Sequence, residues 1–511
     1  MDPHCLRQSE LPGASKLFQD FLYRPEKVAS FYRTEENEAY PESRRPALVA
    51  ALRAQNPGNP SLNLLSVPGT KVVVTGQQVG LFSGPAYTVY KALTAVKLAR
   101  KIGAVPVFWL ATEDHDFPEV SRSWVFNGSH EPIALRASST LDPIAPAGTV
   151  PLIAPPTREL REALKDFPFG GGVASLVEEC YREGETMGSA FRKLVERLLA
   201  PYGLLFLDPL APEIRALAAP LLRAAAGMAD RLTAALLDRN RELEEAGYHA
   251  QVHVEKKTSL FFILRDGRRI ALRRSGRDHV ARDIKLSAED LCASAAELSP
   301  NALLRPVMQD YLMPAESYIG GPAELAYLAQ SQVLYSALLG RMPQPRSRAG
   351  FTLLDPRSAK LMDRYRLDIP SFLEGEQALK EGMAKKLIPS SLAGEMENTS
   401  SRIGADLDRL AAQLKAFDPS LEKALARGGA RIRYQLSKIQ AKTAREAMRR
   451  DERASADASY LNGLIYPHKH LQERFYSILP FVARHGMELI DRIYEHIELD
   501  CSDHQVLPYV Y

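Results

Sequence analysis

Five of the seven residues from Glu113 to Glu119 could do chemistry, since Glu113, Asp114, His115, Asp116 and Glu119 crowd four carboxylates around one imidazole. Such a group could orient a general base, coordinate a metal, or hold an amine in an acidic cup. A histidine beside carboxylates has its protonated form favoured, which points to His115 as a proton donor near neutral pH. A solvated acidic loop is the alternative reading. Asp-His-Asp in direct succession cannot all aim at one ion from a regular backbone, so no metal centre is expected.

A second stretch, "TGQQVGLFSGP" from Thr75 to Pro85, combines glycines that permit tight turns with uncharged amide side chains. Gly76, Gly80 and Gly84 would let the backbone approach a ligand, while Gln77 and Gln78 offer directional donors and acceptors. A helix beginning near Pro85 would point free N–H groups at the same place, which suits a phosphate or carboxylate. The spacing matches neither GxGxxG nor GxxxxGK[ST], so dinucleotide and Walker-type binding are not supported. A turn that only packs a helix on a strand is the alternative.

Other stretches are secondary candidates. "SPNALLRPVMQDYLMP" supplies Arg305, Gln309, Asp310 and Tyr311, and "YIGGPAE" places Gly320 and Gly321 at another strand-to-helix junction as a second pocket wall. Lys91 lies on the helix after the first glycine turn and joins the substrate-binding candidates. Arg346 and Arg348 could meet an anion. His249 and His253 are four apart in a segment read as strand-rich, where a structural role is the commoner one.

These residues need elements to position them. "KVVVTG" and Val105 to Leu110 read as short buried strands, and the segment between them has helical spacing closed by Gly103. Strand, helix and strand form a βαβ unit and imply a parallel sheet, at whose carboxyl edge ligands bind. Both candidate loops fall on that edge. "YGLLFLDP" reads as a further strand followed by one long helix from Glu213 to Arg239. Ser259 to Arg274 reads as a hairpin turning at Asp266-Gly267, and residues 136–157 as a proline-rich loop.

From about Pro370 the texture changes. Leu392, Met396, Thr399, Ile403, Leu407, Leu410, Leu414 and Phe417 recur at steps of mostly four and three, and a matching series runs from Leu421 to Thr443. This predicts an antiparallel coiled-coil hairpin with its tip at Asp418-Pro419. Its apolar stripe makes homodimerisation a reasonable expectation. The second helix is rich in Lys and Arg, but such residues are more often a solvated face than a nucleic-acid contact, and a net charge of +3 adds no argument for nucleic acid. The predicted division is a core over 1–370 with insertions at about 125–200 and 253–300, a hairpin over 371–456, and a segment over 457–511 that packs back on the core.

The chain has 511 residues, an ordinary globular composition, and four scattered cysteines without a CxxC pair. With no signal-peptide pattern and no membrane-length apolar run, a cytoplasmic protein with no membrane contact is expected.

The segments "TGQQVGLFSGPAYTVYKALTAVKLA", "PVFWLATEDHDFPEV", "YGLLFLDP", "GYHAQVHV", "SPNALLRPVMQDYLMP" and "YIGGPAELAYLAQ" resemble the bacillithiol biosynthesis cysteine-adding enzymes, collinearly from about Lys71 to the end. The resemblance implies an α/β fold with a Rossmann-type parallel core and inserted connecting pieces, similar to class I aminoacyl-tRNA synthetases, plus a coiled-coil dimerisation region. It implies a ligase forming a carbon–nitrogen bond in the last step of bacillithiol synthesis, joining cysteine to glucosaminyl malate. ATP or ADP would be the nucleotide, with Mg accompanying it. Carried over, Thr75, Gln77, Gln78, Gly80, Gly84 and Pro85 would line the pocket. Asp114, His115 and Asp116 would hold a polar substrate end or manage a proton, with His115, Asp114, Asp116 and Gln77 as the catalytic set. The His-x-Gly-His and Lys-Met-Ser-Lys-Ser elements of the synthetases are absent, and "GLFSGP" stands at the first position. The competing readings are a nucleotide-binding scaffold or sensor without turnover, and an RNA-binding relative of the synthetases.

Overall fold

The computed structural model describes residues 4–34, 38–139, 142–282, 284–418 and 420–508. Val72–Gln77 (β1) opens with three valines that are apolar on both faces, and it is buried as far as Gly76 at the middle of a parallel sheet. Val105–Leu110 (β2) and Leu205–Leu207 (β3) extend that sheet on one side. Ala315–Gly320 (β4) and Gln344–Ser347 (β5) extend it on the other, giving the order β5-β4-β1-β2-β3. The chain therefore leaves β1 toward both edges. Loops part between β1 and β4, which makes that boundary the switch point where a crevice opens at the strands' carboxyl ends.

Tyr87–Ile102 (α1) connects β1 to β2 and ends at Gly103, whose φ of 67° is the left-handed cap that glycine adopts without strain. Pro322–Leu338 (α2) follows β4, with Pro322 opening the helix. The expected long helix after β3 is instead two, Pro212–Gly227 and Ala229–Glu245. The break falls after Gly227, a poor helix former, at Met228, whose N–H is shared among three preceding carbonyls.

Two pieces interrupt the parallel core. Between β2 and β3 stand the hairpin Arg122–Phe126 with Pro132–Arg136 and the helices Thr157–Leu164, Gly170–Cys180 and Met187–Leu198. Between β3 and β4 lies a five-stranded antiparallel sheet containing the predicted hairpin, Thr258–Arg265 paired with Arg268–Ser275. Asp266 and Gly267 turn it with φ values of 51° and 70°, the doubly left-handed geometry that favours Asp-Gly. The segment with His249 and His253 is loop rather than strand. It follows a helix and reaches Thr258 before any ladder forms.

Ser390–Phe417 (α3) and Ser420–Arg450 (α4) run antiparallel as a coiled-coil hairpin, so the α/β core with a helical hairpin is the observed architecture. Asp418 closes α3, and Pro419, the other half of the expected tip, lies outside the described residues. The seam is real but thin: a Cβ on Gly429 would come within 3.4 Å of Leu407 Cδ1. The C-terminal segment returns to the core, where His504–Pro508 pairs in parallel with Gly350–Leu354 and in antiparallel with His4–Leu6. Among the described residues no helix is long and apolar enough to cross a membrane.

Candidate active site

The turn from β1 to α1 is built by close backbone contacts. A Cβ on Gly76 would meet Trp109 O at 2.9 Å, so β1 can lie against β2 there only with glycine. A Cβ on Gly80 would sit 3.0 Å from Gly84 Cα, which stacks the two glycines. Between them Phe82, Ser83 and Gly84 all have positive φ, at 53°, 72° and 65°. For the two non-glycine residues this costs about 1 kcal/mol or more each. The conformation is held from outside, by the Phe82 N–H donating to Tyr181 Oη at 2.9 Å and Ser477 Oγ donating to Phe82 O at 2.9 Å. The α1 N-terminus is not the free anion site expected. The N–H groups of Ala86, Thr88 and Val89 donate to Tyr476 O, Pro85 O and Ala86 O.

At the switch point opens a cavity of about 540 Å³. Its floor is a buried polar knot. Lys91, on the face of α1 turned to β1, is fully buried, and its ammonium contacts Glu324 Oε2 at 2.7 Å, Glu324 Oε1 at 2.9 Å, Gln77 Oε1 at 3.1 Å and the Gly76 carbonyl. Glu324 also accepts from Tyr318 Oη at 2.7 Å and from the Gly321 N–H at 2.8 Å. Burial pulls the Lys91 ammonium below its ordinary pKa and Glu324 opposes that pull. Burial pushes the Glu324 carboxyl up, and Lys91 with the two other donors outweighs it, leaving the carboxylate below its usual range. Gln77 donates to Tyr87 Oη at 3.1 Å, so its amide is oriented at both ends.

The acidic loop after β2 is dispersed rather than gathered around the imidazole. Glu113 turns inward to Arg215 at 2.9 Å, and burial raises its pKa against that pairing. Asp116 is exposed and caps the short helix Phe117–Val120, accepting the Glu119 N–H at 3.1 Å. It does not line the cavity. Gln78 Nε2 bridges Asp114 Oδ2 at 2.6 Å and Glu119 Oε2 at 2.9 Å, which ties the first candidate loop to the second. Asp114 and His115 both face the cavity.

His115 departs from the sequence expectation. Its pKa is lowered, first by burial and then by Arg269, against the weaker opposite pull of Asp114 and Asp116. The ring is therefore neutral near pH 7. Arg269, anchored by Ser299 Oγ at 3.0 Å and Pro300 O at 2.8 Å, points Nη1 at His115 Nδ1 across 3.2 Å. A guanidinium has only donors, so Nδ1 accepts and the proton assigned to the ring sits on Nε2. What His115 offers the cavity is an N–H donor, not an acid.

Arg305 and Gly321 line the cavity and come from the β4 side. Arg305 is held by Tyr327 Oη at 2.6 Å and makes no ion pair among the described residues. Other predicted residues are elsewhere. Thr75 is buried and donates across the sheet to Ile319 O at 2.9 Å, locking β1 to β4. Gly80, Gly84 and Pro85 line an adjoining cavity. Gly320 packs under Glu324, where an added Cβ would lie 3.2 Å from the Glu324 Cβ. Gln309 is buried beside Asp310, and Tyr311 lies under the Arg44 guanidinium at 3.8 Å, because the helix Arg305–Leu312 carries its later turns away from the cavity. Arg348 lines the cavity but is neutralised by buried Glu473 at 2.5 and 2.9 Å, while Arg346 hydrogen-bonds Gln344.

The residues missed in sequence are Glu324, Arg269, Arg215 and Tyr87. Glu324 had a signal, since it stands three residues after Gly321 at a helix start, where a carboxylate reaches back to the turn's N–H. Arg269 had none, as it arrives from the antiparallel insertion.

Two family comparisons partition the chain along the same lines as the architecture. Residues 1–348 match the family described as Bacillithiol biosynthesis BshC, N-terminal Rossmann-like domain, and residues 351–509 match Bacillithiol biosynthesis BshC, C-terminal coiled-coil domain. The chain belongs to the BshC family. Its relatives include proteins named "Putative cysteine ligase BshC" from Solibacter usitatus, 54% identical over 98% of this chain and 99% of that one, and from Koribacter versatilis, 35% identical over 99% and 100%. A third, from Chlorobaculum tepidum, is 31% identical over 96% and 93%. In this BshC-family chain the Arg348–Glu473 pair joins the end of the first matched region to the second, immediately beside the cavity.

Proposed function

We propose that this BshC-family chain is a cytoplasmic ligase that joins L-cysteine to glucosaminyl malate through a new amide bond, with ATP as activating co-substrate and Mg accompanying it. The observation that supports this reading is the cavity at the β1/β4 switch point, which presents an acidic wall at Asp114 and a cationic wall at Arg305 around oriented neutral donors. Forming an amide requires a carboxyl carbon and an amine nitrogen held together, with the amine losing a proton as the bond forms. Asp114, fixed by Gln78, is placed to hold the ammonium and accept that proton. His115 Nε2–H and the second N–H of the Gln77 amide are placed to bind the carboxyl oxygen on which charge develops. Arg305 supplies a fixed positive charge for the other anionic group. When bound, ATP supplies the activation that makes the carboxylate an acyl donor, and Arg122 and Arg474 of the adjoining cavity, which make no ion pair among the described residues, fit a polyanion. The same reading makes the protein a homodimer through α3 and α4, supported by Leu392, Leu410, Ile432 and Ile439 standing exposed along the hairpin.

The test is incubation of the full chain with cysteine, glucosaminyl malate and ATP, with the thiol product followed by mass. Absence of product beside an active family member overturns the assignment. His115→Ala and Gln77→Ala should each lower kcat about a hundredfold or more with helical content unchanged, and wild-type turnover in either would remove that residue from the site.

A further inference from the structure

Beside the main cavity lies a second one of about 480 Å³. The two share Gln77, Gln78, Tyr87 and Arg474 as a common wall. Its far side is an aromatic shelf contributed by the insertion and the C-terminal segment, with Trp124 stacked on Phe475 at 4.6 Å between centroids and His468 on Phe475 at 5.4 Å. Arg122 and Arg474 line it with exposed side chains and make no ion pair among the described residues. Their neighbour Arg348 does, with Glu473. The carboxylate on this wall, Glu119, is already engaged by Gln78 at the other end. Ser123, 4% exposed, contributes a buried hydroxyl with no hydrogen-bond partner among the described residues.

The backbone around this chamber is unusual in the same place. Phe82 and Ser83 lie in the turn between the lining glycines Gly80 and Gly84, and Lys469 follows the lining residue His468; these four non-glycine residues all have positive φ, at 53°, 72°, 48° and 62°. Such conformations persist where surrounding contacts over-determine them, and they cluster at ligand clamps. Ser477, which lines the chamber, ties the first of these turns to the shelf, its Oγ donating to Phe82 O and its N–H to Trp124 O at 2.9 Å.

We propose that the second chamber seats a ring-bearing, anionic co-substrate, its ring against the Trp124–Phe475–His468 shelf and its anionic groups between Arg122 and Arg474. Its reacting end meets the first chamber at Gln77 and Gln78. The inference rests on the ligase reading, because joining two molecules requires two subsites with one shared wall. Aromatic shelves accept a nucleobase or the apolar face of a sugar, and paired arginines accept phosphates or carboxylates. The chemistry is thus common to a nucleoside triphosphate and to a glycoside of a dicarboxylic acid, and the experiment separates them.

KM is measured for cysteine, glucosaminyl malate and ATP in the full-length wild type and in Arg122→Gln, Trp124→Leu and Trp124→Phe. Arg122→Gln and Trp124→Leu should raise KM for the same one of the two ring-bearing substrates by about tenfold, with KM for cysteine unchanged, and Trp124→Phe should restore most of the loss. The substrate affected names the occupant. Unchanged KM values for both ring-bearing substrates, or equal rises for all three, overturn the proposal while leaving the ligase reading intact. If the wild type makes no product, the ligase reading fails on its own, and titration calorimetry with ATP and with glucosaminyl malate decides the chamber. Binding of one of them weakened about tenfold by Arg122→Gln supports it. No binding of either, or binding indifferent to the variant, overturns it. Arg122 is exposed, so its variant reports even where Trp124→Leu fails to fold.

Discussion

Helices α1 and α3 are both written with apolar residues at helical spacing, yet α1 buries eleven of its sixteen residues and α3 none of its twenty-eight. The difference lies in what surrounds them. α1 is pressed between the parallel sheet and the returning C-terminal segment, where Lys97 donates to Tyr494 O at 2.9 Å, whereas α3 packs mainly on α4. Chemistry follows burial. A charge on the buried face of α1 must be paired inside, as Lys91 is with Glu324, while charges on α4 pair loosely at the surface, as Arg449 does with Glu446.

The comparison can be broken most severely at the Lys91–Glu324 pair. Glu324→Ala leaves a buried ammonium without its counter-charge and should cost about 3–5 kcal/mol in denaturant unfolding. Lys91→Met with Glu324→Leu should cost less than Glu324→Ala alone, and an additive double-mutant cycle would show that the pair is not coupled. Leu407→Pro removes a helical N–H and clashes one turn back in α3, for about 3 kcal/mol. It should abolish the helical signal of the hairpin, and the proposed dimer with it, while the core stays folded; loss of both together would make hairpin and core one cooperative unit.

A smaller contrast uses glycine. Gly76→Ala drives a methyl against Trp109 O and should destabilise the core by roughly 1–3 kcal/mol. Gly428→Ala, in the interior of α4 with nothing within 4 Å of the added Cβ, should stabilise the hairpin by about 1 kcal/mol. Equal signs for the two substitutions would contradict the packing difference drawn above. The smallest effect is in pH. His279, buried in the antiparallel sheet, is lowered to about 4 by burial and then by Arg274. Its folded pKa lies below the ordinary value of about 6.5, so the unfolded state binds the proton more readily and stability is lost as pH falls from about 6.5 toward 4. Thermal melts at pH 7 and pH 5 should show the core weakening and His279→Gln reducing that change, while α3 and α4, which contain no histidine, melt alike at both.

Much of this organisation could be read from residue order. The β1–α1–β2 unit, the Asp266-Gly267 turn and the coiled-coil seam depend on local spacing, which the folded chain preserves. The two candidate loops could also be placed at one sheet edge, and Gln78 does bridge to Asp114 there. What local spacing lacked were partners far along the chain. Glu324 lies 233 residues from Lys91, and Arg269 lies 154 from His115. Without Arg269, the carboxylates flanking His115 point to a protonated imidazole; with it and with burial, the ring is neutral. Direction was likewise hidden. Thr75 and Gln77 share a strand and one of its faces, yet Thr75 is spent on the neighbouring strand and Gln77 on the cavity.

The sequence by itself determined which elements form, because strand, helix, turn and heptad signals arise from steric and solvation preferences acting over a few residues. It also pointed to the glycine-rich strand ends, where no side chain blocks approach, as the place for a candidate site. Only the tertiary structure decided which charges face the cavity, which are neutralised, and that two chambers share one wall. Those outcomes depend on desolvation and on Coulomb interactions between residues hundreds of positions apart, and neither is a property of local sequence.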